Sequence, residues 1–124
     1  MFQQHAAVAF LFLAASALAS ASAIRYDVTD LNPGPVATAL AINSAGHIVG
    51  YYQPTGSSAG GTHGFLYKDG VVTDIPTFGG LECQATGIND SDVVVGWADY
   101  STAGFTQAFT LINGTMKNLG TLGV

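Results

Sequence analysis

Charge is scarce in this sequence: Lys and Arg number 3 against 8 Asp and Glu, charged residues make up 9 %, and the formal net charge is −5. The three cations, Arg25, Lys68 and Lys117, are scattered along the chain. No basic patch can form to neutralise phosphates, which argues against nucleic acid as a partner. Glu and Lys, the residues that favour exposed helix positions, are nearly absent, so the composition speaks against a helical fold. A single cysteine, Cys83, leaves no internal disulfide to be made. The fold must therefore stand without covalent staples. Cys83 itself reads as a small buried apolar residue rather than as a thiol for intermolecular pairing. What the chain has in quantity is glycine, 16 residues, together with frequent Asn, Ser and Thr. That balance belongs to β-rich extracellular proteins with many tight turns.

Ala6 to Ala15 is an uninterrupted apolar run, and the following SALASASA places small residues at Ala21 and Ala23. This is the pattern that signal peptidase requires, so residues 1–23 are expected to be a signal peptide cut after Ala23, leaving no membrane segment in the secreted or periplasmic product. The n-region MFQQH carries no Lys or Arg, so the alternative is a retained anchor: Ala6 to Ile24 is 19 residues without a charge. Its Ala and Ser content makes it a poor solute for hydrocarbon, which favours cleavage. No cysteine follows the run, which excludes a lipid-modified N-terminus.

Beyond the leader the chain repeats itself at about 44 residues. Val28-Thr29-Asp30-Leu31 falls on Val72-Thr73-Asp74-Ile75 and again on Met116-Lys117-Asn118-Leu119. Ile42-Asn43 matches Ile88-Asn89, and Ile48-Val49-Gly50-Tyr51 matches Val94-Val95-Gly96-Trp97, here at a spacing of 46. The register then returns to 44: His63-Gly64-Phe65 falls on Gln107-Ala108-Phe109, Asp69-Gly70 on Asn113-Gly114, and Thr77-Phe78-Gly79-Gly80 on Thr121-Leu122-Gly123-Val124. Each copy reads as four short strands, in the first Thr38–Asn43, His47–Gln53, His63–Lys68 and Val71–Pro76. Asn43-Ser44-Ala45-Gly46 and Asn89-Asp90-Ser91-Asp92 are the first turns, and Asp69-Gly70 and Asn113-Gly114 are two-residue hairpin turns. The second strand is apolar on both faces, since Ile48 and Val49 point oppositely, as do Val94 and Val95; such a strand needs cover on both sides. The expected fold is all-β, with tandem four-stranded antiparallel repeats stacked as in a β-propeller, about two blades and therefore incomplete. The expected division is a leading strand and linker over 24–38, with Arg25 to Leu31 as a lone fourth-strand equivalent, repeat 1 over 39–84 and repeat 2 over 85–124.

Asn43-Ser44-Ala45-Gly46-His47-Ile48-Val49-Gly50, His63-Gly64-Phe65 and Asn118-Leu119-Gly120-Thr121-Leu122-Gly123 resemble the HAF extracellular repeat of bacteria. Each copy keeps two letters of the His-Ala-Phe triplet, His63 and Phe65 in one, Ala108 and Phe109 in the other, and the match runs from about Tyr26 to Val124. The resemblance implies a secreted or surface protein with propeller-like repeats and no characterised activity. Family members usually carry more copies. Two blades leave two open faces, so the expectation is either a truncated reading frame, with further repeats beyond it, or self-association that completes the core.

Chemistry is sparse. A nucleophilic triad needs His beside Ser and a carboxylate, but His47 and His63 stand where the second copy has Val93 and Gln107, so no catalytic residue is assigned. Asn89-Asp90-Ser91-Asp92 offers oxygen ligands, which makes Asp90 and Asp92 candidates for Ca²⁺, yet it lacks the Gly and the distant Glu of a dedicated loop, and an Asx turn explains it better. Pro54 to Gly61 is Gly-rich but no Lys follows, so it is a flexible loop rather than a phosphate cradle. Tyr51, Tyr52, Tyr67, Trp97 and Tyr100 remain. Packing between blades is the first expectation for them, and Tyr51, Tyr52, Trp97 and Tyr100 are the candidates for a glycan or protein ligand. The functional expectation is a non-catalytic binding or structural module; the alternatives are a fragment of a secreted propeller enzyme acting on polysaccharide and a non-functional remnant.

Overall fold

A computed structural model describes residues 24–56, 60–101 and 105–120. The proposed leader, its cut after Ala23 and the Thr121–Val124 match lie outside the described residues. Eight strands run in chain order: β1 Val36–Ile42, β2 Ile48–Gln53, β3 His63–Lys68, β4 Val71–Ile75, β5 Cys83–Ile88, β6 Val94–Asp99, β7 Thr106–Ile112 and β8 Thr115–Asn118. They form two four-stranded antiparallel sheets, β1-β2-β3-β4 and β5-β6-β7-β8, each a meander in which every strand pairs with its neighbour in sequence. Among the described residues there is no helix. The all-β, propeller-like reading therefore holds: two blades, stacked but not closed.

The two copies share their local chemistry position by position. In each first turn the Asn side chain accepts two backbone N–H groups, Ala45 and His47 at Asn43, Ser91 and Val93 at Asn89. The fourth turn residue takes a positive φ in both, 80° at Gly46 and 58° at Asp92. Glycine adopts that region freely and Asp tolerates it. Both residues of the β3–β4 and β7–β8 turns also have positive φ, the type I′ geometry that Asp-Gly and Asn-Gly favour. A register shift falls between Ala39 and Ala41 in β1, and its counterpart between Ala85 and Gly87 in β5. At mid-strand, a Cβ on Gly50 would collide with the Thr38 carbonyl oxygen and stand 2.9 Å from the Phe65 ring; on Gly96 it would meet the Gln84 carbonyl oxygen and Phe109 in the same way.

Stacking gives each sheet a front face, toward the chain's start, and a back face. The back of the first sheet presents Val49, Leu66 and Ile75 to the front of the second, where Cys83, Ala85, Val94, Ala98 and Phe109 wait. Val49, Cys83, Ala85, Val94, Ala98 and Phe109 are all 0 % exposed. Burying a ring such as Phe109 contributes about 1.5–3 kcal/mol. The innermost strand β5 packs against β1, β2 and β3. Gly64 makes room for it: a Cβ there would lie 3.2 Å from Cys83 Sγ. Cys83 thus occupies the apolar position its lack of a partner implied, and burial pushes its thiol pKa up to about 11.

Two sequence expectations are corrected. Arg25 to Leu31 forms no strand, and Tyr26 and Val28 are exposed. A fourth strand needs a third to pair with, as β4 has β3, and none adjoins this segment among the described residues. The strands of the two sheets span Val36–Ile75 and Cys83–Asn118, so β1 begins three residues ahead of the expected start of repeat 1 at 39 and β5 two residues ahead of that of repeat 2 at 85.

Candidate functional site

At one end of the stack the β1–β2 and β3–β4 turns of the first sheet meet the β5–β6 turn of the second. Asp92 is the centre. Its Oδ1 accepts Asn43 Nδ2 at 2.8 Å and lies 2.6 Å from His47 Nδ1, while its Oδ2 accepts Lys68 Nζ at 2.7 Å. His47 is buried and its other nitrogen, Nε2, faces Asp69 Oδ1 at 3.5 Å. Alongside, Asn43 Nδ2 reaches the Asn89 carbonyl at 3.1 Å and the Ser44 N–H donates to Asp90 Oδ1 at 2.9 Å. The turn geometry makes this possible, because the left-handed residue at position four throws the Asp92 carboxylate toward the first sheet.

Electrostatics follow the geometry. The hydrogen bond from His47, then that from Lys68, holds the Asp92 carboxyl down at about 2. The same bond to Asp92 raises His47, and the Lys68 ammonium is raised for the same reason. The Ser44 N–H lowers Asp90. With a carboxylate facing each ring nitrogen, the protonated form of the His47 imidazole is favoured and both nitrogens are engaged. The ring has no nitrogen to spare for proton abstraction, and the arrangement works as a charged clamp between sheets. Asp90 and Asp92, the Ca²⁺ candidates, turn these oxygens toward protein donors, and no group of three or more metal-ligating side chains occurs among the described residues.

Beside the clamp the outer strands of the two sheets diverge and enclose a groove of about 370 Å³. Leu66, Ile75, Leu111 and Met116 supply apolar walls, and Lys68, Asp74, Asp92 and Asn113 supply polar groups. None of the four aromatic candidates lines it. Tyr51 is half-buried. Tyr52 donates to Asp74 Oδ1 at 2.8 Å and stands edge-on to His63, whose Nδ1 shares the same oxygen at 2.9 Å. Burial, with Asp74 adding to it, pushes the Tyr52 hydroxyl up to about 12. Trp97 is half-buried on the back face of the second sheet, and Tyr100 is exposed in the loop after β6. The four do not converge on one surface.

Sequence reasoning passed over Asn43, Lys68 and Asp69 as partners and placed His47 only as the first residue of the second strand. A signal was present: at the 44–46 offset the copies differ at His47/Val93, Gly46/Asp92 and Lys68/Ile112, and those six positions include all three members of the charged clamp. A comparison with family models, curated proteins and solved structures finds no match to this chain.

Proposed function

We propose that this chain is an exported, non-catalytic β-repeat binding module whose ligand, a peptide or glycan, lies in the groove between the two sheets. The observation that carries the reading is that groove, with apolar walls from Leu66, Ile75, Leu111 and Met116 and charged or amide groups at its rim. Pockets of this kind bind through apolar area and take orientation from a few polar groups. The engagement of His47 by two carboxylates supports a binding role over hydrolysis. The apolar leader with small residues at Ala21 and Ala23, and the resemblance to the HAF repeat, support export and an extracellular or periplasmic setting.

The experiment is to screen the purified protein on glycan and peptide arrays, then titrate any hit against the Met116→Trp variant, which fills the groove. Lost binding with an unchanged circular dichroism spectrum supports the reading. Undiminished binding moves the site elsewhere, and the exposed aromatics Tyr100 and Phe105 become the next positions to substitute.

A further inference from the structure

Ahead of β1 the chain carries a strand pattern with no strand beside it. Ile24, Tyr26 and Val28 alternate with Arg25, Asp27 and Thr29, so in an extended chain the three large apolar side chains share one face. All three are open to solvent, at 76 %, 83 % and 96 %. Among the described residues, 24–30 belong to no strand and Arg25 takes part in no ion pair. An apolar stripe of this kind gains free energy wherever it finds cover from water.

The groove between the sheets offers that cover. Its walls are the aliphatic side chains of Leu66, Ile75, Leu111 and Met116, and no aromatic ring lines it for a sugar to stack on, so of the two ligand classes a peptide fits. The outer strands β4 and β8 flank it, each paired along one side only, and such an edge accepts an added strand. Charge fixes the direction. Lys68 pairs with Val71 beside the β3–β4 turn, and Asp74 lies further down β4. The Lys68 ammonium gives one donor to Asp92 and keeps others, while Asp74 Oδ1 takes Tyr52 and His63 and leaves Oδ2. A strand inserted with Asp27 toward Lys68 and Arg25 toward Asp74 pairs both charges and runs antiparallel to β4 and β8; the reverse direction sets Asp27 against Asp74. The molecule's own segment cannot reach. Asp30 lies with Phe65 on the front of the first sheet, and the two steps from there to Val28 span about 7 Å, whereas the groove opens behind that sheet, a layer of about 10 Å away.

We propose that residues 24–29 of one copy lie in the groove of a second, with Tyr26 and Val28 between Leu66, Ile75, Leu111 and Met116, Asp27 at Lys68 and Arg25 at Asp74. This rests on the groove being a peptide site and names that peptide as this chain's own. Exchange in both directions closes a two-fold dimer, and one-way insertion continues as a ring or a filament.

The test is multi-angle light scattering on the full chain purified from an exporting host, with circular dichroism as the control for folding. The expected result is a mass that is a multiple of the monomer's. Tyr26→Asp and Val28→Asp change exposed positions, so each variant is expected to stay folded and fall to the monomer mass. Met116→Trp, which fills the groove, is expected to do the same with the segment intact. A folded wild-type monomer up to high micromolar concentration overturns the proposal, and array hits that Met116→Trp abolishes would then leave the groove standing as a site for another ligand. An assembly that survives both aspartate substitutions but is lost with Met116→Trp also overturns it, because the groove is then used without this segment. An assembly lost with the aspartates but kept by folded Met116→Trp overturns it as well, since the segment then docks elsewhere.

Discussion

The same backbone occurs twice in this molecule, and burial follows neighbourhood rather than sequence. Val49 and Val95 are the same residue at the same strand position, 0 % and 43 % exposed respectively. Phe65 and Phe109 each pack beside a mid-strand glycine, yet Phe109 is covered by a whole sheet and Phe65 by the short segment around residues 30–35. A repeat of this kind carries its fold in local turn and strand chemistry and borrows its core from whatever stands next to it.

Measurements in dilute protein can break that comparison. The largest expected effect is at the rings: Phe109→Ala should cost about 3–5 kcal/mol by urea denaturation, with Phe65→Ala costing less because chain 30–35 collapses onto the space more readily than a sheet does. Equal losses would mean that the segment before β1 is as rigid a cover as a second blade. Next comes the valine pair, where Val49→Ala should cost about 2 kcal/mol and Val95→Ala under about 0.5 kcal/mol. A matching loss at Val95 would show its face covered even in the monomer.

The clamp exists in one copy's surroundings alone, and pH separates its parts. Asp92 is lowered to about 2, so its contribution is complete above pH 3.8, the ordinary value, and fades as pH falls toward 2. His47 is raised, so its contribution is complete below 6.5 and is lost as pH climbs through the folded value. Thermal stability should accordingly be greatest between about pH 4 and 6.5 and decline on either side. His47→Gln should flatten the alkaline decline and leave the acid one; a decline that persists would assign it to another group. The smallest effects sharpen the comparison by being equal: Gly70→Ala and Gly114→Ala, at φ 82° and 78°, should each cost about 1 kcal/mol. A large difference would mean that one turn is held by more than its own backbone.

Much of the fold was legible because turns and alternation are local. Asn43 and Asn89, Asp69-Gly70 and Asn113-Gly114 announce their hairpins, and β3 is found with both ends as expected, His63–Lys68. Arg25 to Leu31 was misread because its pattern matches β4 while pairing depends on a neighbour that pattern does not supply. The clamp was missed for a related reason. Asp92 had been assigned fully to its own turn, and nothing within one repeat shows that the left-handed backbone there aims its carboxylate across the junction at His47 and Lys68. The groove is a property of two diverging sheets and has no motif of its own.

Nearest-neighbour pairing has a further consequence, for the order of folding. Every hairpin closes a short loop, whereas docking of the sheets joins residues as far as 45 and 49 positions apart, as His47 and Asn43 are from Asp92. Short closures come first because they lose less chain entropy, so each meander is expected to form before the two stack. A chain emerging N-terminus first can therefore build β1–β4 while β5–β8 is still being made. For that interval Val49, Leu66 and Ile75 face water. The time between the two halves, set by synthesis rather than by the folded structure, is when this protein is most open to capture by a chaperone or by another nascent chain.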